Sequence, residues 1–242
     1  MPEGAVILAG GGETPPEIPR TIARLAQGAP IVVLAHTQQA IGEGAERSAE
    51  FLRQHGAQQV YAPDTADPEA MLPLLKEARA VWIPGGDQNR FMERLGSHKS
   101  LIRAIREVYA RGGVVGGTSA GASLMGALMP TGEQSSEKPL TKGGCTLAPA
   151  LGLFPNAIVD QHFLKRHRLL RLLCALMENP TLIGIGVDEN GWALVQNRTL
   201  KVQAGQVVVA QVQGKTRQHK ELLGAEAIRL QVLLPGERRR LP

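Results

Sequence analysis

Short strands that are apolar from end to end recur through the first half of this 242-residue chain, each separated from the next by a helical pattern. Ala5–Ala9, Ile31–Ala35, Ala80–Ile83 and Gly113–Gly116 show no polar alternation, and Gln59-Val60-Tyr61 is a shorter run between them. A strand without alternation is buried on both faces. Such strands alternating with helices form a parallel sheet covered on both sides. The helical stretches carry their own signals. One has Pro15-Pro16 near its start and Gly28 past its end; Glu43 to His55 stops at Gly56. Asp67-Pro68 caps a helix through Ala78, and Asn89 to Arg111 is broken near Gly96. Ligands of such sheets sit beyond the carboxyl ends of the strands. The Gly-rich turns Gly10–Gly12, Pro84–Asp87 and Gly116–Gly121 all follow strands, so all three should gather at that edge.

The second half is less regular. Residues 130–148 have little periodicity and read as a long functional loop. Ala157–Val159 reads as a strand and Lys165–Met177 as a helix. Ile183–Val187, Trp192–Val195, Leu200–Gln203 and Gln206–Ala210 read as strands or hairpins, with a final strand near Ile228–Leu234. No repeat or linker interrupts the chain, so 1–242 is expected to be a single domain. The expected class is α/β, a three-layer doubly wound, mostly parallel sheet with C-terminal β-hairpins.

Composition excludes several classes. At 43% hydrophobic and 20% charged the chain is not disordered. Two cysteines, Cys145 and Cys174, exclude a disulfide framework and are expected to pack as small apolar groups. No apolar run is long enough for a membrane span. Met1-Pro2-Glu3-Gly4 lacks the basic start and apolar run of a signal peptide, so a cytoplasmic location is expected. The net charge of +5 reads as a solvated basic surface, with Arg238–Arg240 as a solvated tail. Four Phe, two Tyr and two Trp offer few base-stacking platforms, which disfavours a nucleic-acid partner.

Gly10-Gly11-Gly12 does not complete a dinucleotide-binding turn, because Pro15 stands where the third glycine belongs. Gly214-Lys215-Thr216 is not a phosphate loop, because Val209 replaces its leading glycine. No metal-ligand spacing appears, and no metal or cofactor is expected. Gly117-Thr118-Ser119-Ala120-Gly121 does fit G-x-S-x-G, between an apolar strand and an expected helix over Ala122–Leu128. Ser119 is thereby a candidate nucleophile, and the Ala120 N–H a candidate oxyanion donor. Among six histidines, His162 stands at a strand end and is the candidate base. Asp160, Asp188 and Glu189 are all placed to orient it, and residue type alone does not choose.

Five segments in order carry a resemblance: Gly10-Gly11-Gly12-Glu13, Pro84-Gly85-Gly86-Asp87-Gln88, Gly116–Ala122, Asp160-Gln161-His162-Phe163 and Gly184–Glu189. Over roughly residues 5 to 195 the chain resembles the serine peptidase family that holds cyanophycinase and dipeptidase E, and its cyanophycinase branch in particular. The resemblance implies a fold akin to class I glutamine amidotransferases, with serine in place of their cysteine. It implies Ser119 as nucleophile, His162 as base and Glu189 as the residue that orients it. Backbone N–H groups of Gly86 or Asp87 and of Ala120 would form the oxyanion hole. Gln88, Asp160 and Gln161 would line the substrate site with Arg166, Arg168 and Arg171. Arg168 is the first choice as a carboxylate clamp, because a guanidinium binds a carboxylate at two points. The implied activity is acyl-enzyme hydrolysis of aspartyl or β-aspartyl peptide bonds, on peptides or a cyanophycin-type polymer, with a homodimer as the implied assembly. Two other readings compete: a serine hydrolase of other amides or esters, and a binding module that keeps the fold without turnover. Ala35-His36-Thr37-Gln38-Gln39 departs from the family's usual small-hydroxyl run, and residues 196–242 match little of it.

Overall fold

The structure is a computed structural model that describes residues 4–132 and 140–242. The chain runs β1 (Ala5–Ala9), α1 (Glu17–Ala26), β2 (Ile31–Val33), α2 (Ile41–Gln54), β3 (Val60–Tyr61), α3 (Pro68–Glu77) and β4 (Ala80–Ile83). It continues through α4 (Gln88–Leu95), α5 (Lys99–Ala110), β5 (Val114–Thr118), the single turn α6 (Ala120–Ser123), β6 (Gly126–Pro130), β7 (Leu147–Pro149) and β8 (Phe154–Gln161). It ends with α7 (Leu169–Glu178), β9 (Ile183–Val187), β10 (Trp192–Gln196), β11 (Thr199–Ala204), β12 (Val207–His219), β13 (Leu222–Leu233) and β14 (Arg238–Arg240).

The fold is mixed α/β, and its strands fall into two sheets rather than one. The eight-stranded sheet has the order β14-β11-β10-β1-β5-β4-β2-β3. Its β1, β5, β4, β2 and β3 pair in parallel, as the apolar runs require, while β10 joins β1 antiparallel. Ile18, Ile22 and Ala26 lie four residues apart on α1 and form one stripe. That stripe packs with Ala45, Ala49 and Leu52 of α2 on Ile7, Ile31 and Val33. The other face, with Val6, Leu8, Val81 and Ile83, is covered by Met71, Leu75, Phe91 and Ile105 of α3, α4 and α5. Each fully buried Ile or Leu contributes about 1.5–3 kcal/mol.

The six-stranded sheet has the order β13-β12-β9-β8-β6-β7. Val159, Ile185, Val207 and Val209 join the same core as α3–α5. Ile158, Val208 and Ala210 face away from that core and are covered by Leu172, Ala175 and Leu176 of α7. Among the described residues no helix is long and apolar enough to cross a membrane.

Several sequence expectations need correction. The helix after Ser119 is one turn, and Gly126–Leu128 belongs to β6, which pairs in parallel with β8. Two glycines, Gly121 and Gly126, make a longer helix costly there. The helix expected from Lys165 begins at Leu169, because Asp188 Oδ1 accepts the N–H groups of Leu164 and Lys165 at 3.0 and 2.9 Å and turns the chain first. The final hairpin is far longer than its apolar signal, because the outer half of β12, Gln213–His219, is polar and exposed and pairs with Leu222–Ala227 of β13. The rejected phosphate-loop residues Gly214-Lys215-Thr216 lie within β12 at a register shift between Gln213 and Thr216. Arg238–Arg240 is not a free tail but an edge strand on β11. Part of the loop expected over 130–148 is strand from Leu147, and residues 133–139 of it lie outside the described residues. Cys145 and Cys174 are buried free thiols; Cys174 donates to Thr141 O at 3.0 Å, and burial pushes the Cys145 thiol up to about 12.

Candidate active site

Ser119 joins β5 to α6 with φ 53° and ψ −118°, a backbone region that a side-chain-bearing residue occupies only where its surroundings hold it. Its N–H donates to Ala9 O at 2.9 Å, and its carbonyl accepts from the N–H groups of Ala122 and Ser123. The turn is tight enough to demand glycine on both sides. A Cβ on Gly117 would lie 2.5 Å from the Gly121 carbonyl carbon, and one on Gly121 would lie 2.0 Å from Ile83 O. The Ala120 N–H opens α6 and so has no partner within the helix.

Three strand ends bring three side chains into line. Ser119 Oγ lies 2.8 Å from His162 Nε2. His162 Nδ1 lies 2.7 Å from Glu189 Oε1. His162 follows β8 at φ 47° and is anchored by its N–H to Gly10 O at 2.8 Å. Glu189 follows β9, in a turn held by the Asn190 N–H on Gly11 O and by the Glu13 N–H on Asn190 Oδ1. Of the three acids left open by residue type, only Glu189 reaches the ring. Asp188 holds the turn after His162, and Asp160 is engaged by Arg171. With Nδ1–H donated to Glu189, Nε2 carries the lone pair that accepts the serine proton. Burial lowers the His162 pKa below 6.5, and the hydrogen bond to Glu189 offsets part of that shift.

Gly11 packs directly on this ring. A Cβ there would lie 2.3 Å from His162 Cε1 and 2.5 Å from Nε2, at φ +101°. Gly11→Ala is therefore expected to push the imidazole off line and lower kcat/KM by roughly 10²-fold. Steady-state kinetics beside a circular dichroism spectrum would check that the chain stays folded.

Pro84–Asp87 covers Ser119, since a Cβ on Gly85 would stand 3.4 Å from Ser119 Cβ. Asp87 is not available as an oxyanion donor. Its N–H donates to Thr37 O at 2.8 Å, and its carboxylate caps α4 through the Asn89 N–H. Gly86 and Ala120 are left as the backbone donors beside Ser119. Gln88, Gln161, Arg166, Arg168 and Arg171 line a cavity of about 330 Å³ together with Ser119 and His162. The expectation for Arg168 changes here. Arg168 is 4% exposed and donates to Gln161 O at 2.8 Å, so it braces the strand end. Arg171 binds the fully buried Asp160 through both carboxylate oxygens and donates to Gly132 O. Arg166 is the exposed guanidinium of the three on the wall of that cavity. Gln88 Nε2 donates to Pro130 O at 2.8 Å, and Ser119 Oγ to Gln161 Oε1 at 3.4 Å.

The sequence reading missed the braces behind this site. Thr37 Oγ1 donates to Pro84 O and Gly85 O, both at 3.0 Å. Arg90 and Arg94, one turn apart on α4, donate to the carbonyls of Thr37 and Gln38. The unusual run Ala35–Gln39 was the available signal. Among the described residues no three His, Cys, Asp or Glu side chains are grouped to hold a metal ion.

The model for peptidase family S51 matches residues 23–203. The chain is similar to a cyanophycinase of Synechococcus elongatus, at 36% identity over 138 residues, 57% of this chain and 42% of that one. It is also similar to a cyanophycinase of Geminocystis herdmanii (strain PCC 6308), at 35% over 173 residues, 68% of this chain and 63% of that one. The chain thus spans less than two thirds of the length of either relative. A crystal structure of a peptidase from an acI-B1 Actinobacterium superposes with a TM-score of 0.67 over 99% of this chain and 98% of that one. Their sequences are 22% identical, so the fold is what the two share.

Proposed function

We propose, from the premise that this chain belongs to peptidase family S51, that it is a serine-type peptidase that cleaves aspartyl or β-aspartyl peptide bonds through an acyl-enzyme. The observation that carries this reading is the unbroken line Ser119 Oγ, His162 Nε2, His162 Nδ1, Glu189 Oε1. Ser119 Oγ attacks the scissile carbonyl carbon while His162 Nε2 takes its proton. Charge that develops on the carbonyl oxygen meets the N–H groups of Gly86 and Ala120. The C–N bond then breaks as His162 returns the proton to the leaving nitrogen. A water molecule, deprotonated by His162 Nε2, then attacks the acyl carbon; the bond to Ser119 Oγ breaks as His162 returns that proton to Oγ, which releases the acid. Glu189 holds the ring in the required tautomer and stabilises the imidazolium of each step. The aspartyl preference rests on the cavity beside Ser119, where the exposed Arg166 meets a substrate carboxylate and the carboxamides of Gln88 and Gln161 supply neutral donors.

The test is a substrate panel: an aspartate polymer bearing arginine on its side carboxylates, α- and β-aspartyl dipeptides, and aryl esters. Release of new amino groups from the aspartyl substrates is expected. Turnover of the aryl esters alone would remove the peptidase reading.

The pH profile follows from His162. The base acts as neutral imidazole, and its pKa lies below 6.5, so the acid limb of kcat/KM is expected to have its midpoint below pH 6.5. The Glu189 hydrogen bond raises that pKa. Glu189→Gln should move the limb to still lower pH while reducing the plateau.

A further inference from the structure

Ser119 and His162 stand between two cavities, and these two residues are all that the cavities share. The first is the Arg166 cavity. The second is about 660 Å³, walled by Gly11–Thr14, by Arg47 and Phe51 of α2, and by Trp82. A substrate of acyl transfer lies across its nucleophile, with the acyl half on one side and the leaving half on the other. Gly11 decides which side is which. It packs against the Cε1–Nε2 edge of His162, the edge that hands a proton to the leaving nitrogen, and it belongs to the second cavity.

We infer that this second cavity takes the leaving half of the substrate and that Arg47 recognises a carboxylate on it. The inference rests on the peptidase reading and adds the chemistry of the leaving side. Arg47 is a built part of the wall. Its Nη2 donates to Gln38 Oε1 at 2.9 Å, and Gln38 Nε2 donates to Gly85 O at 3.1 Å. The Gln38 carboxamide has room because Gly44 of α2 lacks a Cβ, which would stand 2.3 Å from Gln38 Oε1. Gln38 therefore ties Arg47 to the turn that covers Ser119. The exposed Arg47 spends one of its five N–H donors on that tie and has the others to offer to the cavity. Glu13 adds the opposite charge on another wall. The leaving half that fits carries an acidic group for Arg47.

The experiment compares two β-aspartyl peptides that share an acyl half. In one the leaving residue is aspartate amide, in the other leucine amide, so that a carboxylate is present on the leaving half of the first alone. The parent protein is expected to favour the acidic leaving residue, and Arg47→Ala to reduce that preference about tenfold, mainly through KM. Arg47→Lys should restore part of it. An unchanged preference in Arg47→Ala would overturn the inference. If neither peptide is cleaved, the aspartyl reading fails by itself, and the cavity is tested by calorimetry. Free aspartyl-arginine is titrated into the Ser119→Ala protein with and without Arg47→Ala. Weaker binding without Arg47 supports the subsite, and equal or undetectable binding in both overturns it.

Discussion

Ser119→Ala is expected to lower kcat on the order of 10⁶-fold while KM changes little. The alcohol is the atom that forms the acyl-enzyme, and no other hydroxyl stands 2.8 Å from His162 Nε2 among the described residues. Both cavities survive the change, so substrate still binds. The fold survives as well. Among the described residues Ser119 Oγ bonds only His162 and Gln161, whereas the elbow itself is held by backbone bonds to Ala9, Ala122 and Ser123. Thermal unfolding should therefore shift by a few degrees at most, and stopped assays with purified protein would read the loss of turnover. A variant that retained a tenth of parental kcat would show that the acyl group never resides on Ser119.

This arrangement was partly legible in the sequence. The parallel strands β1, β2, β4 and β5 announced themselves, because a strand buried on both faces must be apolar throughout. Ser119 followed from its small neighbours, which only a strand-to-helix elbow requires. His162 followed from its place at a strand end. Glu189 did not follow from residue type, because Asp160 and Asp188 occupy equivalent strand ends. The resemblance pointed to it, and the structure places its carboxylate on the ring while the other two are engaged elsewhere. The exposures of Arg168 and Arg166 were not legible, because a helix assumed from Lys165 hides the turn that buries the first guanidinium and exposes the second. The second sheet was legible only in part. Its inner strands are apolar, but the outer half of β12 is polar on both faces, which leaves no hydrophobic period to read there, although Leu223 and Ala225 of the β13 stretch paired with it pack partly on the α7 side.

The second large effect is structural. Arg171→Leu is expected to destabilise the protein by about 3 kcal/mol, because it leaves a buried carboxylate with only the looser Arg168 ion pair in place of its direct guanidinium bonds. Asp160 is fully buried at the end of β8, and Arg171 engages both of its oxygens from α7. The Arg168 Nη1 lies 3.8 Å from Asp160 Oδ1, too far for a hydrogen bond to replace them. The same carboxylate accepts the Gln161 N–H at 2.8 Å, one residue before His162. Losing Arg171 therefore disturbs the strand end that aims the base, and turnover should fall together with stability. For a chain of this size the stability loss corresponds to a Tm lower by roughly 10 °C. The double variant Asp160→Asn, Arg171→Leu separates the two consequences. Removing the charge with its partner should recover part of the lost Tm, since the largest cost of the single change is a buried carboxylate without its direct hydrogen-bonded cation, while Arg168 then loses its own ion pair. Activity should stay low, because the neutral pair no longer fixes β8 against α7. A single variant as stable as the parent, measured by calorimetric unfolding, would show that water reaches Asp160 and that the pair serves the substrate rather than the fold.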